Sequence, residues 1–295
     1  MILFLGLITQ AQAQETNFSR DVATSIDRGL LWLDQQGAFN NPSSAGDAAG
    51  LVALTLLEKR ASADQNAEPS GYINASPADQ ARIERVMSYI INRAAGNNFY
   101  AYRDGGDLMA LSVYLRSGGP SQAGALNSIR SVFDRMAANQ NGAGYWCYTN
   151  GDCNDSSTTQ LTMAGLAAAR GVFNEPAYSD PARLARLNQL AAASGAGYRA
   201  NGMAGGLDPI ERGHGYNAGS APSYQQTASG LWGQIIGGAD LNDTGVQAYL
   251  RWLRNRYNFQ TTSAATGGWS LSYYYYLWSS AKSFTFLEDS GVLPA

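Results

Sequence analysis

The stretch NGDCNDSSTTQLTMAGLAAAR, residues 150–170, sets Asp152 and Asp155 beside a run of hydroxyls just ahead of a helix-like segment. Carboxylates so placed can act as an acid. They can equally serve the helix: Ser157-Thr158-Thr159-Gln160 reads as an S-x-x-Q capping box, and an acidic residue ahead of it suits the helix dipole. Ser223-Tyr224-Gln225-Gln226 repeats the box, which makes capping the expected role. A second group, Asp208, Glu211 and His214, lies in LDPIERGHGYN. Histidine titrates near neutrality, and paired carboxylates are the machinery of glycoside hydrolysis. Asp155, Glu211 and His214 are therefore the catalytic candidates, with a solvated loop histidine as the alternative for His214.

Cys147 and Cys153 sit six apart, with no second cysteine pair and one histidine in the whole chain. That favours a local disulfide over a metal site, and once oxidised the pair offers no thiolate. No metal and no cofactor are expected. The glycine-rich GAGYRANGMAGGLD does not follow a strand, so it is discounted as a phosphate loop. Aromatic residues gather near the starts of apolar segments: Tyr145, Trp146, Trp232, Trp269, the run Tyr273 to Tyr276, and Trp278. Such rings stack on sugars, stabilise cations, or fill a core. Trp146, Tyr148, Asp152, Asp208, Trp269 and Tyr273 are the candidate ligand contacts.

These residues must be positioned by helices. Five times the chain gives an amphipathic segment and then a more apolar one. The first set is 22–36, 78–95, 122–139, 181–193 and 243–257, with apolar residues at i, i+3, i+4. The second set, 48–59, 108–116, 158–170, 224–236 and 273–286, is apolar or small nearly all round, as expected of helices buried on most sides. Their expected caps are Asp47, Asp107, Ser157, Ser223 and Ser272, roughly 56 residues apart on average. Dry helices alternating with wet ones predict an all-α fold, an α/α toroid of about five hairpins with the apolar helices as the inner ring.

RGLLWLDQQGAF (28–39) resembles the QW repeat of squalene and oxidosqualene cyclases. IRSVFDRMAANQNGAGYW (129–146) is a looser copy with Gln140, Gly144 and Trp146 in the tail positions, and Gln260, Gly268 and Trp269 keep the tail again. DSSTTQLTMAGLAAARG and SYQQTASGLWGQIIGG look like inner-helix blocks of bacterial prenyltransferase/squalene-oxidase repeat proteins. The resemblance covers residues 28–287 and implies the terpenoid cyclase/protein prenyltransferase toroid. It does not carry over the chemistry. Class II cyclases protonate with the middle aspartate of Asp-x-Asp-Asp, and here Asp152-Cys153-Asn154-Asp155 has an amide in that place. The Asp-x-Cys pair of the prenyltransferase zinc site is also absent, since residue 151 is glycine.

A net charge of −3 gives no footprint for nucleic acid, and no apolar run is long enough to span a bilayer. Residues 1–13 read as a signal peptide, an apolar core Ile2–Ile8 followed by Ala11-Gln12-Ala13, leaving one domain over 14–295 in the secreted or periplasmic space. The expected protein is a monomeric exported toroid. It binds a small molecule or a protein partner at its mouth, through Trp146, Tyr148, His214 and Trp269 among others, without class II cyclase chemistry. Two alternatives stay open: a carbohydrate-active or other toroidal enzyme using Asp155 with Glu211 and His214, and a terpenoid cyclase or prenyltransferase acting on an apolar isoprenoid.

Overall fold

A computed structural model describes residues 15–64, 66–96, 98–256 and 269–289, with side chains from 274 to 285 in the last stretch. The expected signal peptide, the tail residues Gln260 and Gly268, and the side chains of Trp269 and Tyr273 lie outside the described residues. Among those described, the chain is helical apart from a two-residue hairpin pairing Met203–Ala204 with Arg212–Gly213.

The amphipathic helices are α1 (Asn17–Gln35), α3 (Pro77–Ala94), α5 (Gln122–Ala137), α7 (Pro181–Ala200) and α9 (Thr244–Asn255). Their starts follow from local chemistry. Thr16 and Ser19 form a reciprocal capping box at α1, and Ser76 and Asp180 each accept a backbone N–H ahead of a proline at the first helical position. Asp243 caps α9 by accepting the Gly245 N–H, with Thr244 at the first helical position. The apolar helices are α2 (Ala49–Leu57), α4 (Ala101–Arg116), α6 (Ser156–Asn174), α8 (Tyr224–Ile236) and α10 (Trp269–Asp289). Each apolar helix packs on the next in chain order, and α3, α5 and α7 form a second layer behind them. The core lies between the layers.

Four of the five expected caps do not cap. Asp47 falls inside a 3₁₀ segment, Pro42–Ala48. Asp107 lies well inside α4, which starts at Ala101. Ser272 is inside α10. At α6 the cap is Asp155, whose side chain accepts the N–H groups of Ser157 and Thr158, so Ser157 is the second helical residue. Ser223 does cap α8, accepting from Gln226 N–H. The stretch 195–200, expected in a loop, is the last part of α7.

Residues 140–146 bond to both α5 and α7. Gln140 Nε2 donates to the Leu190 carbonyl at 2.9 Å and to Ser194 Oγ at 3.1 Å, both on α7. The Trp146 indole N–H donates to the Met136 carbonyl of α5 at 2.8 Å.

Two carboxylates of α4 are fully buried and paired across the layers. Asp104 faces Arg135 of α5 at 2.9 and 3.0 Å, with Arg103 beside it. Asp107 forms a two-pronged pair with Arg93 of α3 at 2.6 to 3.1 Å, and Arg93 also holds the Gly46 carbonyl. Burial pushes the Asp107 carboxyl up to about 6, against the pull of the guanidinium.

Candidate functional site

Asp155 is buried at the junction where α6 begins. Its Oδ1 accepts from the Ser157 N–H at 2.8 Å, the Thr158 N–H at 3.0 Å and the Ser157 hydroxyl at 2.6 Å. An anion suits this place because the helix N-terminus presents unpaired N–H groups. Ser157 Oγ in turn accepts the Tyr102 hydroxyl at 2.9 Å. The Tyr102 ring is stacked on Tyr148, 5.6 Å between centroids. Tyr148 and Tyr216 touch through their hydroxyls, and both are partly exposed.

The junction is clipped from two sides. Cys147 and Cys153 form a disulfide that closes the loop carrying Tyr148. The loop 214–220 lies against it, with the Ser156 N–H donating to the Tyr216 carbonyl and the Ala218 N–H to the Asn154 carbonyl. Asp152 is exposed and accepts from Asn141 at 3.2 Å. Trp146 is fully buried, with both its backbone N–H and its indole N–H engaged, so it shows no surface to a ligand.

Among the described residues no hydrogen bond or ion pair joins Asp155 to Asp208, Glu211 or His214, although His214 begins the loop that lies against the junction. His214 is fully buried, its Nε2 2.9 Å from the Tyr145 hydroxyl and its Nδ1 2.7 Å from the Gly215 carbonyl. A carbonyl only accepts, so Nδ1 carries the proton and Nε2 accepts from Tyr145. Burial lowers the His214 pKa to about 4 from its ordinary 6.5. Glu211 is also fully buried; Arg256 grips both carboxylate oxygens at 2.7 and 2.9 Å, and Asn255 and the Leu207 N–H add bonds at 2.8 Å. These partners hold its carboxyl down at about 2, so it carries no proton to give near neutrality. Asp208 pairs with Arg251 at 3.1 Å. Among the described residues no group of three or more His, Cys, Asp or Glu side chains is placed to hold a metal ion.

His214 carries a pH signature. The unfolded chain takes up its proton near 6.5 and the folded chain only near 4, so the contribution is a stability lost as pH falls through that window. Urea midpoints at pH 7 and pH 4.5 should show His214→Gln losing about 2–3 kcal/mol less than wild type between the two conditions. An identical loss in both proteins would mean that His214 is protonated in the fold.

A cavity of about 1120 Å³ lies between α1, α2, α4, α6 and α10. Leu51 and Leu54 of α2, Met109 of α4, Leu161 of α6, and Tyr275 and Trp278 of α10 form one wall. Phe18, Val22 and Ile26, a stripe at helical spacing on α1, form the other. Phe18 is 72% exposed, so the described chain leaves this apolar stripe open to the cavity. Tyr102, near the start of α4, lines the cavity and also belongs to the Asp155 junction. Charged residues that line it include Asp27, Glu58, Lys59, Asp64 and Lys282, with Lys59 paired to Asp27 at 2.9 Å.

The wall residues of α1 and α2, and Tyr102 and Tyr216, were not among the sequence candidates. One signal for Tyr102 exists: YAYRDGGD places two tyrosines at the mouth of an apolar helix. The α1 stripe had none, because an outer amphipathic helix and a cavity wall share one pattern. Compared with protein-family models, with curated proteins and with solved structures, the chain matches none.

Proposed function

We propose that this chain is an exported toroid-like helical repeat protein that binds an apolar small molecule in the cavity and does not transform it. The observation that carries this reading is the cavity itself. It is about 1120 Å³, walled by aliphatic and aromatic side chains from five helices, and that size and lining are what small-molecule sites share. The serial packing of α2, α4, α6, α8 and α10 with a second layer behind them supports a toroid of the terpenoid cyclase and prenyltransferase kind. Export is supported by the Cys147–Cys153 disulfide, since such bonds persist in oxidising compartments. Among the described residues no helix is long and apolar enough to cross a membrane.

Binding without turnover is favoured by the state of the carboxylates. Protonating an alkene needs a strong acid facing a dry cavity, whereas Asp155 is engaged in capping α6, with Ser157 and the wall residue Tyr102 between it and the cavity. Glu211 is locked to Arg256.

The test is binding of the dye N-phenyl-1-naphthylamine, whose emission rises in apolar surroundings. The wild-type protein should bind it saturably. Leu51→Trp, which adds bulk at a partly exposed wall position, should weaken binding about tenfold while the far-ultraviolet spectrum stays unchanged. Absence of binding, or equal affinity in a folded variant, would remove the cavity as the site.

A further inference from the structure

We propose that the ligand carries a neutral hydroxyl on its apolar body, and that this hydroxyl is received at the Tyr102 end of the cavity. The inference rests on the reading of the cavity as a binding site and adds the polarity of what it takes.

The hydrogen-bond chain at this end has one direction. The Asp155 carboxylate can only accept, so the single hydroxyl proton of Ser157 is committed to it across 2.6 Å. Ser157 Oγ must then accept from the Tyr102 hydroxyl across 2.9 Å, which commits Tyr102's proton as well. What remains on Tyr102, a residue of the cavity wall, is the acceptor side of its oxygen, which the neighbouring Tyr148 hydroxyl also approaches. A ligand group meeting it has to donate.

The inner wall repeats the pattern nearby. Tyr275 also lines the cavity, and its hydroxyl sits 3.3 Å from Ser229 Oγ. Ser229 Oγ is 3.5 Å from Ser279 Oγ, which accepts the amide of Gln160 at 2.6 Å. Gln160 is 1% exposed, and its amide oxygen accepts no hydrogen bond from the described residues. A buried acceptor without a donor is costly, and this one lies one residue from Leu161 of the cavity wall.

Charge narrows the head group further. A carboxylate or phosphate has no proton to donate near neutrality and would meet Asp155 behind the tyrosine. The cations of the lining stand elsewhere: Lys59 and Arg60 just beyond the end of α2, and Lys282 about two turns along α10 from Tyr275. An ammonium would have to shed its water in an apolar cavity; at this end the carboxylate is Asp155, already saturated at Oδ1 and screened by Ser157, while Asp27, Glu58 and Asp64 stand with Lys59 on α1 and just beyond α2. A hydroxyl donates one proton, and its desolvation is modest.

The experiment uses the same dye on the whole folded protein, displaced by 1-dodecanol, dodecanoate or dodecylamine. Dodecanol is expected to displace it at about one tenth the concentration of either charged analogue. In Tyr102→Phe, which keeps the stacked ring, that advantage should fall to near parity, each competitor being read against the variant's own dye affinity. Dodecanoate or dodecylamine competing as well as the alcohol would overturn the proposal, as would an unchanged ratio in Tyr102→Phe. Failure of the dye to bind wild-type protein would overturn the cavity reading itself, and is distinct from these outcomes.

Discussion

Replacing Arg93 by methionine is expected to lower the unfolding free energy by about 3–5 kcal/mol, seen as a lower urea midpoint at unchanged slope. The physical reason is what the substitution leaves behind. Asp107 is 1% exposed, and Arg93 supplies all three short bonds that reach its carboxylate. Even with that partner, burial pushes the Asp107 carboxyl up to about 6. Without it the carboxyl must stay protonated or remain an uncompensated buried charge.

The pH response of the Arg93 variant has a definite sign. A carboxyl whose folded pKa lies above its unfolded value of 3.8 stabilises most below that value, and the stabilisation is lost as pH rises through the folded pKa. The variant should therefore recover stability as pH is lowered from 8 towards 5, over a window that begins above the wild-type one. Arg93→Met combined with Asp107→Leu should regain most of the loss, because a well-packed apolar pair removes the charge as well as its partner. A single-variant loss under about 1 kcal/mol would mean that water reaches Asp107.

The same ion pair shows why part of the fold was legible and part was not. The amphipathic helices were readable because each has a wet face, and all but α5 add a chemically specific start, such as Ser76-Pro77 and Asp180-Pro181. The sequence starts the apolar helix α4 several residues late because Asp107 reads as a cap, which leaves Arg103 and Asp104 outside it. They are helical and buried, with charges answered by Arg93 and Arg135 from other helices. Nothing local in the sequence announces a partner 14 or 31 residues away. At α6 the signal was displaced by two residues, since Asp155 and Ser157 are both good caps and only the backbone decides between them.

The candidate site divides along similar lines. Asp155, Tyr148 and the disulfide were visible because polar and sulfur chemistry concentrates in a short loop. The cavity wall was not, since Leu54, Met109 and Leu161 sit in helices that are apolar nearly all round. Which of those residues face a void and which face a neighbour depends on how closely the helices approach.

That approach is set by glycine, and it yields the other large effect. Gly105→Ala is expected to destabilise the protein by about 3 kcal/mol. In an open helix the same change stabilises, because alanine loses less conformational freedom on folding. Gly29 in α1 is such a position, with nothing within 4 Å of an added methyl, and Gly29→Ala should gain about 0.5–1 kcal/mol. At Gly105 the methyl would overlap the Leu161 carbonyl of α6, a backbone atom that no side-chain rotation can move. Gly165 makes the reciprocal approach, where a methyl would meet the Gly105 carbonyl oxygen at 3.0 Å. The α4 and α6 backbones must therefore separate or slide to admit the methyl. Met109 and Leu161 line the cavity from those two helices, so dye affinity should fall along with stability. Gly29→Ala should leave the dye affinity as it was. Equal midpoints for the two variants in urea would show that α4 and α6 are not in backbone contact at Gly105, and the cavity wall would have to be redrawn.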